Sequence, residues 1–173
     1  AYTLIVTYDN GATEEIHDPY SYAPQYTDED LKKFNAGIHY GIYEKMGAHP
    51  MTVKGVEGVY FSVWAPCAMR VSVVGDFNLW DGRRHPMRLL GDSGIFELFI
   101  PGLKPGQIYK YEIKTKAGLP MLKADPYANY AELRPDTASV VWDIGRYQWQ
   151  DRDWMEKRAK DELFTGPVSI YEV

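Results

Sequence analysis

Apolar and polar residues alternate in several short segments in the middle of the chain, as they do in half-buried β-strands. Gly and Pro residues separate these segments, and no helical periodicity lies between them. The segments are 51–53, 59–64, 70–76, 95–100, 107–115 and 137–142. Strands at such short, turn-punctuated intervals are typical of antiparallel sheets. We therefore predict an all-β antiparallel β-sandwich over residues 51–145, with short flanking helical and strand segments.

Polar segments on either side of this region favour helices. Thr27 can cap the free N–H groups of a helix that runs to Phe34, and the three acidic residues after Thr27 suit the positive end of the helix dipole. Residues 146–165 are also polar and helix-prone. We assign residues 27–50 to a linker with a short helix. Residues 146–173 are then a linker helix followed by a strand at 168–173.

A strand, a glycine and an Asp-Pro-Tyr sequence occur twice in the chain, at a constant offset of 107 residues. The first copy contains Tyr2, Gly11 and Asp18-Pro19-Tyr20, and the second contains Tyr109, Gly118 and Asp125-Pro126-Tyr127. The second copy follows many strand residues, whereas the first has none before it. A lone strand pair is only marginally stable. We interpret residues 1–26 as the C-terminal tail of a truncated preceding β-sandwich, and the strand at 168–173 as the first strand of a missing domain.

Composition and charge exclude several classes of function. The net charge is −5, and no long run of Lys and Arg is present, which argues against a nucleic-acid partner. No apolar stretch approaches the roughly 18 residues of a membrane span. The single Cys67 excludes an internal disulfide and a cysteine-based zinc site, and it favours a cytoplasmic location.

No constellation of catalytic residues is recognisable. Catalysis by carboxylates needs two or three of them around the reacting bond, and Asp76, Asp81 and Asp125 are single carboxylates on turns. The sequence has neither metal-ligand spacing nor a phosphate-binding loop, so we expect no catalytic residue, no metal and no cofactor. The chain has 14 Tyr and 5 Trp, an excess that either fills a sandwich core or supplies exposed rings for a flat ligand.

Several segments, taken in order, resemble one family. They are Val63-Trp64-Ala65-Pro66, the run Val71–Trp80, the run Gly106–Tyr111 and the run Lys123–Ala128. This pattern is similar to that of family 48 carbohydrate-binding modules. The resemblance implies an immunoglobulin-like sandwich that precedes the catalytic barrel of a starch- or glycogen-active enzyme of the α-amylase class.

The flanks narrow this resemblance. Residues 43–50 and 133–139 resemble segments of bacterial glycogen branching enzymes, and residues 169–173 look like the first strand of their barrel. The resemblance implies a non-catalytic module that binds α-1,4-glucan chains such as glycogen, amylose or maltooligosaccharides. Its other partner would be the missing C-terminal catalytic barrel. Two alternatives remain open: a docking module with negligible glucan affinity, and the same module from a debranching-type enzyme.

An α-glucan offers C–H-rich sugar faces and hydroxyl rims, so its binding site needs an exposed aromatic ring and a few polar groups. Trp80 lies in a loop-like segment and matches a Trp that stacks on glucose in several family members. The alternative is that it folds back over the sandwich edge. Strand alternation places Lys110 opposite Tyr109 and Tyr111, where it either donates to sugar hydroxyls or is only solvated.

Two further positions complete the predicted site. Asn78 offers a donor and an acceptor to a sugar, or else it holds the turn before Trp80. Leu122 is the nearest match by spacing to a second stacking Trp that glycogen-sensing members carry. Because this second ring is absent, we expect weak binding, with a dissociation constant on the order of 0.1–1 mM, or about −4 to −5.5 kcal/mol.

Overall fold

The alternating segments form strands in the computed structural model. The structure describes residues 2–161 and 166–173. The chain divides into two compact units at the boundary between residues 143 and 144. In chain order, the strands of the first unit are β1 (Thr3–Thr7), β2 (Thr13–His17), β3 (Gly47–Val53), β4 (Val56–Trp64), β5 (Ala68–Gly75), β6 (Arg88–Leu89), β7 (Ile95–Pro101), β8 (Ile108–Thr115), β9 (Pro120–Lys123), β10 (Tyr130–Ala131) and β11 (Ser139–Val140).

Two antiparallel sheets of the first unit pack face to face. One has the order β3-β4-β7-β6, and the other has the order β10-β11-β8-β5, with β9 also paired to β8. Alternate side chains of both sheets meet in a single core, in which the Phe61 ring meets the edge of Tyr109 at a centroid distance of 5.1 Å. This arrangement confirms the predicted all-β, immunoglobulin-like sandwich.

The first of these sheets is buried on both of its faces. The residues of β4 from Gly58 to Val63 are all buried, as expected for a strand that is covered on both sides. On the outer face, Tyr60 and Phe99 pack against Tyr22, Tyr26 and Met46, which come from the segment before β3. On the outer face of the second sheet, Lys110, Glu112 and Lys114 of β8 are partly exposed, whereas Ser72 and Val74 of β5 are buried.

A helix in the segment before β3 begins where its capping signal places it. The helix α1 spans Asp28–Asn35, and the Thr27 side chain accepts a hydrogen bond from the Asp30 backbone N–H while the Asp30 carboxylate accepts one from the Thr27 backbone. Asp30 also accepts hydrogen bonds from Lys45 Nζ at 2.6 Å and from His39 Nε2 at 3.1 Å. This carboxylate therefore ties both ends of the linker together.

The first 26 residues contain the hairpin that the repeat predicts. The pair β1–β2 joins Thr3 to His17, and the pair β8–β9 joins Tyr111 to Lys123, which is the same register once the 107-residue offset is applied. Each copy also contains a tyrosine hydroxyl that donates to the Asp of its Asp-Pro-Tyr corner, Tyr2 to Asp18 and Tyr109 to Asp125. That the first copy belongs to a preceding sandwich stays a prediction.

Two segments differ from the sequence prediction. Residues 47–50 belong to the predicted linker, but in the structure they open β3. Pro50 is tolerated there because β3 is the edge strand of its sheet, where a missing N–H breaks no internal ladder. Residues 168–173 are exposed and form no hydrogen-bonded strand, because no other described strand pairs with them.

The second unit contains a polar helix. The helix α2 spans Arg152–Lys160, carries an Arg152–Glu156 ion pair at 3.0 Å and places the Arg158 guanidinium 5.4 Å from the centre of the Trp154 ring. Residues 162–165, the end of the predicted helix-prone segment, lie outside the described residues. Neither α1 nor α2, the α-helices of the described residues, is long and apolar enough to cross a membrane.

The Asp30 network predicts a specific sensitivity to acid. Burial alone would raise the pKa of Asp30, but the hydrogen bonds from Lys45, Thr27 and His39 outweigh burial and hold this pKa well below its usual range. The stabilisation is therefore complete above the unfolded-state value of 3.8 and is lost as the pH falls towards the lower folded-state value. We expect Asp30→Asn to lower the free energy of unfolding by about 1–3 kcal/mol at pH 7, and by less as the pH falls below 3.8.

Urea unfolding between pH 2 and pH 7, at ~1-unit steps, measures this difference. Asp28→Asn is the control, because Asp28 is exposed in the same first turn. A difference in the free energy of unfolding between wild type and Asp30→Asn that stays constant over the whole pH range would contradict the assignment.

Candidate functional site

The turn after β5 is held by the side chain of Asn78. Its Oδ1 accepts from the Gly75 backbone N–H at 3.0 Å, and its Nδ2 donates to the Val73 carbonyl at 2.9 Å. Asn78 is only 1% exposed. Of the two roles that the sequence left open, this geometry favours holding the turn, because the amide is directed into the protein and has almost no surface to offer a sugar.

The same amide also closes the far end of the loop. Asn78 Nδ2 lies 2.8 Å from His85 Nδ1, and the Val73 backbone N–H donates to the His85 carbonyl at 3.1 Å. Burial, together with the nearby positive charge of Arg84, lowers the pKa of His85. A neutral His85 can accept through Nδ1, so residues 79–84 leave and rejoin the sandwich at a fixed base.

Trp80 is presented by an unusual stretch of backbone. Leu79 and Trp80 are consecutive non-glycine residues in the left-handed region, with φ of 59° and 58°. This conformation costs roughly 1–2 kcal/mol for each residue. The Trp80 backbone N–H donates to the Gly75 carbonyl at 2.9 Å, and the indole Nε1 donates to Asp76 Oδ1 at 2.8 Å. The indole is thus held in one orientation while it remains partly exposed.

Lys110 lies on the outer face of the second sheet, as the strand alternation predicts. Its neighbours Tyr109 and Tyr111 are fully buried in the core. The register pairs Gly75 with Tyr109 and Val74 with Lys110. Lys110 therefore lies beside the point where the chain leaves β5 towards residues 79–84, which we call the Trp80 loop. Lys110 is partly exposed.

Thr137 is an exposed residue that the sequence reasoning missed. Its Oγ1 accepts a hydrogen bond from Lys110 Nζ at 2.7 Å. The two residues are far apart in the chain, and no local motif connects them. Only the pairing of β11 with β8 brings residue 137 to this face.

Leu122 and the loop share this face with Lys110. Leu122 is 51% exposed and pairs with Glu112, which is two residues from Lys110 on the same side of β8. Gly82, in the middle of the loop, lies directly against the Glu112 carboxylate. We call the surface formed by Trp80, Lys110, Leu122 and Thr137 the Trp80 face, and the Glu112 carboxylate lies next to it.

The chemistry of the Trp80 face suits reversible binding. It offers one aromatic ring, one ammonium group, one hydroxyl and one apolar side chain. The carboxylates nearby are already paired within the protein: Asp76 with Trp80, Glu112 with Arg70, and Asp81 with Arg83. Over the described parts of the chain, no group of three or more His, Cys, Asp or Glu side chains could hold a metal ion.

Comparison with known proteins shows which family the sequence around this surface matches. Residues 45–128 match the model of the family described as carbohydrate-binding module 48, isoamylase N-terminal domain. The match covers the sheets of the sandwich up to the second Asp-Pro-Tyr corner, and it includes Trp80, Lys110 and Leu122.

Two curated relatives match nearly the whole chain. The 1,4-alpha-glucan branching enzyme GlgB of Thermosynechococcus vestitus is 55% identical over 96% of this chain and 22% of its own length. The enzyme of the same name from Rubrobacter xylanophilus is 52% identical over 99% of this chain and 24% of its own length. The chain therefore spans less than a quarter of these relatives.

Among solved structures, the ligand-free PulA of Klebsiella pneumoniae is similar, with 26% identity and a TM-score of 0.46 over 57% of this chain and 9% of that one. The family match and the curated relatives agree with the resemblance in the sequence. Residues 45–128 match a family 48 carbohydrate-binding module, in a chain that is similar over nearly its whole length to part of the 1,4-alpha-glucan branching enzymes.

Proposed function

We propose that this chain binds α-1,4-glucan through the Trp80 face and, without catalysing a reaction itself, positions glucan for the catalytic barrel of a branching enzyme. The observation that carries the proposal is the backbone of Leu79 and Trp80. Two adjacent left-handed non-glycine residues are unfavourable, and such strain persists where the surrounding structure imposes it, often at a binding site.

The contacts follow from the chemistry of glucose. The indole of Trp80 stacks on the C–H-rich face of one sugar, and its orientation is already fixed by Asp76. The ammonium of Lys110 donates to hydroxyls at the rim, and the Thr137 hydroxyl can donate once Lys110 occupies its acceptor side. Asn78 supports these groups from below.

The affinity should be low. Leu122 occupies the place of a second ring, and an exposed leucine lacks the flat surface that stacks on a sugar. One stacked sugar with a few hydrogen bonds supports a dissociation constant on the order of 0.1–1 mM. A weak site joined to a catalytic domain still raises the local concentration of substrate, which suits an enzyme that cuts an α-1,4 link and makes an α-1,6 link.

A docking role is the second candidate, and a separate observation favours it. Tyr40 is 88% exposed, and Ile38, Tyr43 and Trp64 are also more than half exposed. Exposed apolar side chains of this size, where they form one patch, are typical of surfaces that contact another domain. The other alternative, that the module comes from a debranching-type enzyme, has no comparable support, because both curated relatives described above are branching enzymes.

Removal of the indole should weaken glucan binding selectively. We expect Trp80→Ala to reduce affinity by about 5- to 150-fold, which corresponds to the loss of about 1–3 kcal/mol of buried aromatic surface. The measurement is retardation in native gels cast with increasing glycogen or amylose. Trp149→Ala is the matched control, because Trp149 is an exposed indole of the second unit.

These gels also separate the two candidate functions. If the wild-type chain is not retarded at any glucan concentration, the binding proposal fails and the docking role is favoured. If the wild type is retarded and Trp80→Ala is retarded equally, the binding site lies elsewhere.

The ammonium of Lys110 should contribute a smaller amount. We expect Lys110→Met, which keeps most of the apolar stem, to weaken retardation by several-fold, because a solvent-accessible hydrogen bond contributes about 0.5–1.5 kcal/mol net. Lys114→Met is the control, because Lys114 projects from the same face of β8. Equal losses in both variants would show a general effect of charge and would contradict a specific contact by Lys110.

A further inference from the structure

Gly82 lies closer to the second sheet than any other residue type could. A Cβ atom on Gly82 would lie 2.2 Å from Glu112 Oε1 and 2.4 Å from Glu112 Cδ. Gly82 is buried, and its φ is outside the left-handed region. The glycine therefore permits the close approach of the loop to this carboxylate, which a larger residue would displace, and its backbone conformation does not call for glycine.

The carboxylate under Gly82 is itself held in place. Arg70 Nη2 donates to Glu112 Oε1, and the Glu112 side chain is only 17% exposed. In the register of β5 and β8, Arg70 pairs with Lys114 and Ser72 pairs with Glu112, so the Arg70 side chain reaches diagonally across the outer face. Glu112 thus forms a fixed support on the sheet.

The rest of the loop is restrained at other points. Asn78 and His85 fix its base, and the Arg83 guanidinium forms a fork on Asp81, with Nε to Oδ1 at 2.9 Å and Nη2 to Oδ2 at 2.8 Å. Glu112 contacts Gly82, which lies between the two residues of this fork. Trp80 is two residues from Gly82, and Lys110 is two residues from Glu112 along β8.

We infer that Glu112, held by Arg70, is a positioning residue that sets the placement of Trp80 relative to Lys110 through its contact with Gly82. The inference rests on the proposed glucan binding, since it assigns a function to this spacing. A sugar that stacks on Trp80 can reach Lys110 only if the loop lies against the sheet. Glu112 thereby determines affinity without contacting the ligand.

The test combines two measurements on the whole 173-residue chain. Retardation in glycogen gels reports binding, and the indole N–H resonance of Trp80 in a ¹H–¹⁵N spectrum, assigned with Trp80→Phe, reports the placement of the ring. We expect Glu112→Ala and Gly82→Ala to shift this resonance and to weaken retardation at least about 5-fold, equivalent to about 1 kcal/mol. Glu57→Gln is the control, because Glu57 is an exposed carboxylate on the other sheet.

A double-mutant cycle separates positioning from direct contact. If Glu112 acts through Trp80, Glu112→Ala has no further effect on retardation in the Trp80→Ala background. An additive loss there would overturn the inference and assign a direct sugar contact to Glu112. An unshifted Trp80 resonance in folded Glu112→Ala would overturn it as well.

Glu112→Gln, which keeps the size of the side chain, provides the same comparison if Glu112→Ala does not fold. Failure of the proposed function has a different signature. If the wild-type chain shows no retardation, glucan binding is rejected, and the Trp80 resonance still decides whether Glu112 positions the ring.

Discussion

Two buried tyrosine hydroxyls on β8 determine how the second sheet is built. Tyr109 and Tyr111 are fully buried, and both donate to Asp125 Oδ2, at 2.6 and 3.1 Å. A buried hydroxyl without a partner is costly, so the Asp-Pro-Tyr corner must lie under these rings. Burial raises the pKa of Asp125 even though Tyr109 and Tyr111 donate to it. With the tyrosines fixed inwards, Lys110 and Glu112 can only point outwards.

The position of the candidate site follows from what covers each sheet. Tyr22, Tyr26 and Met46 fill the outer face of the β3-β4-β7-β6 sheet, and the capped helix α1 and the Asp30 network hold the linker that supplies them. The Trp80 loop lies against the outer face of the second sheet, where Gly82 meets Glu112. The glucan-binding surface proposed above therefore lies on the side of the sandwich that the linker leaves uncovered.

Local patterns in the sequence predicted much of this arrangement. Alternation placed Lys110 on the outer face, and the capping signal located α1 at Thr27. The predicted linker includes residues 47–50, which open β3, because an edge strand tolerates the proline at position 50. The roles of Thr137 and Glu112 could not be predicted, since each depends on a contact with a residue far away in the chain. The choice between the two roles of Asn78 depended on the hydrogen bonds of its side-chain amide, which only the structure shows.

The duplicated hairpin places one hydrogen bond at two depths in the same molecule. The Tyr109–Asp125 bond lies in the core, whereas its counterpart between Tyr2 and Asp18 joins an exposed tyrosine to a carboxylate near the surface. Strand register and the Asp-Pro-Tyr corner are common to both, but Asp125 also accepts from Tyr111, whereas the first copy has Leu4 at that position. The chain therefore contains the same contact twice, once near solvent with a single tyrosine donor and once in the core with two.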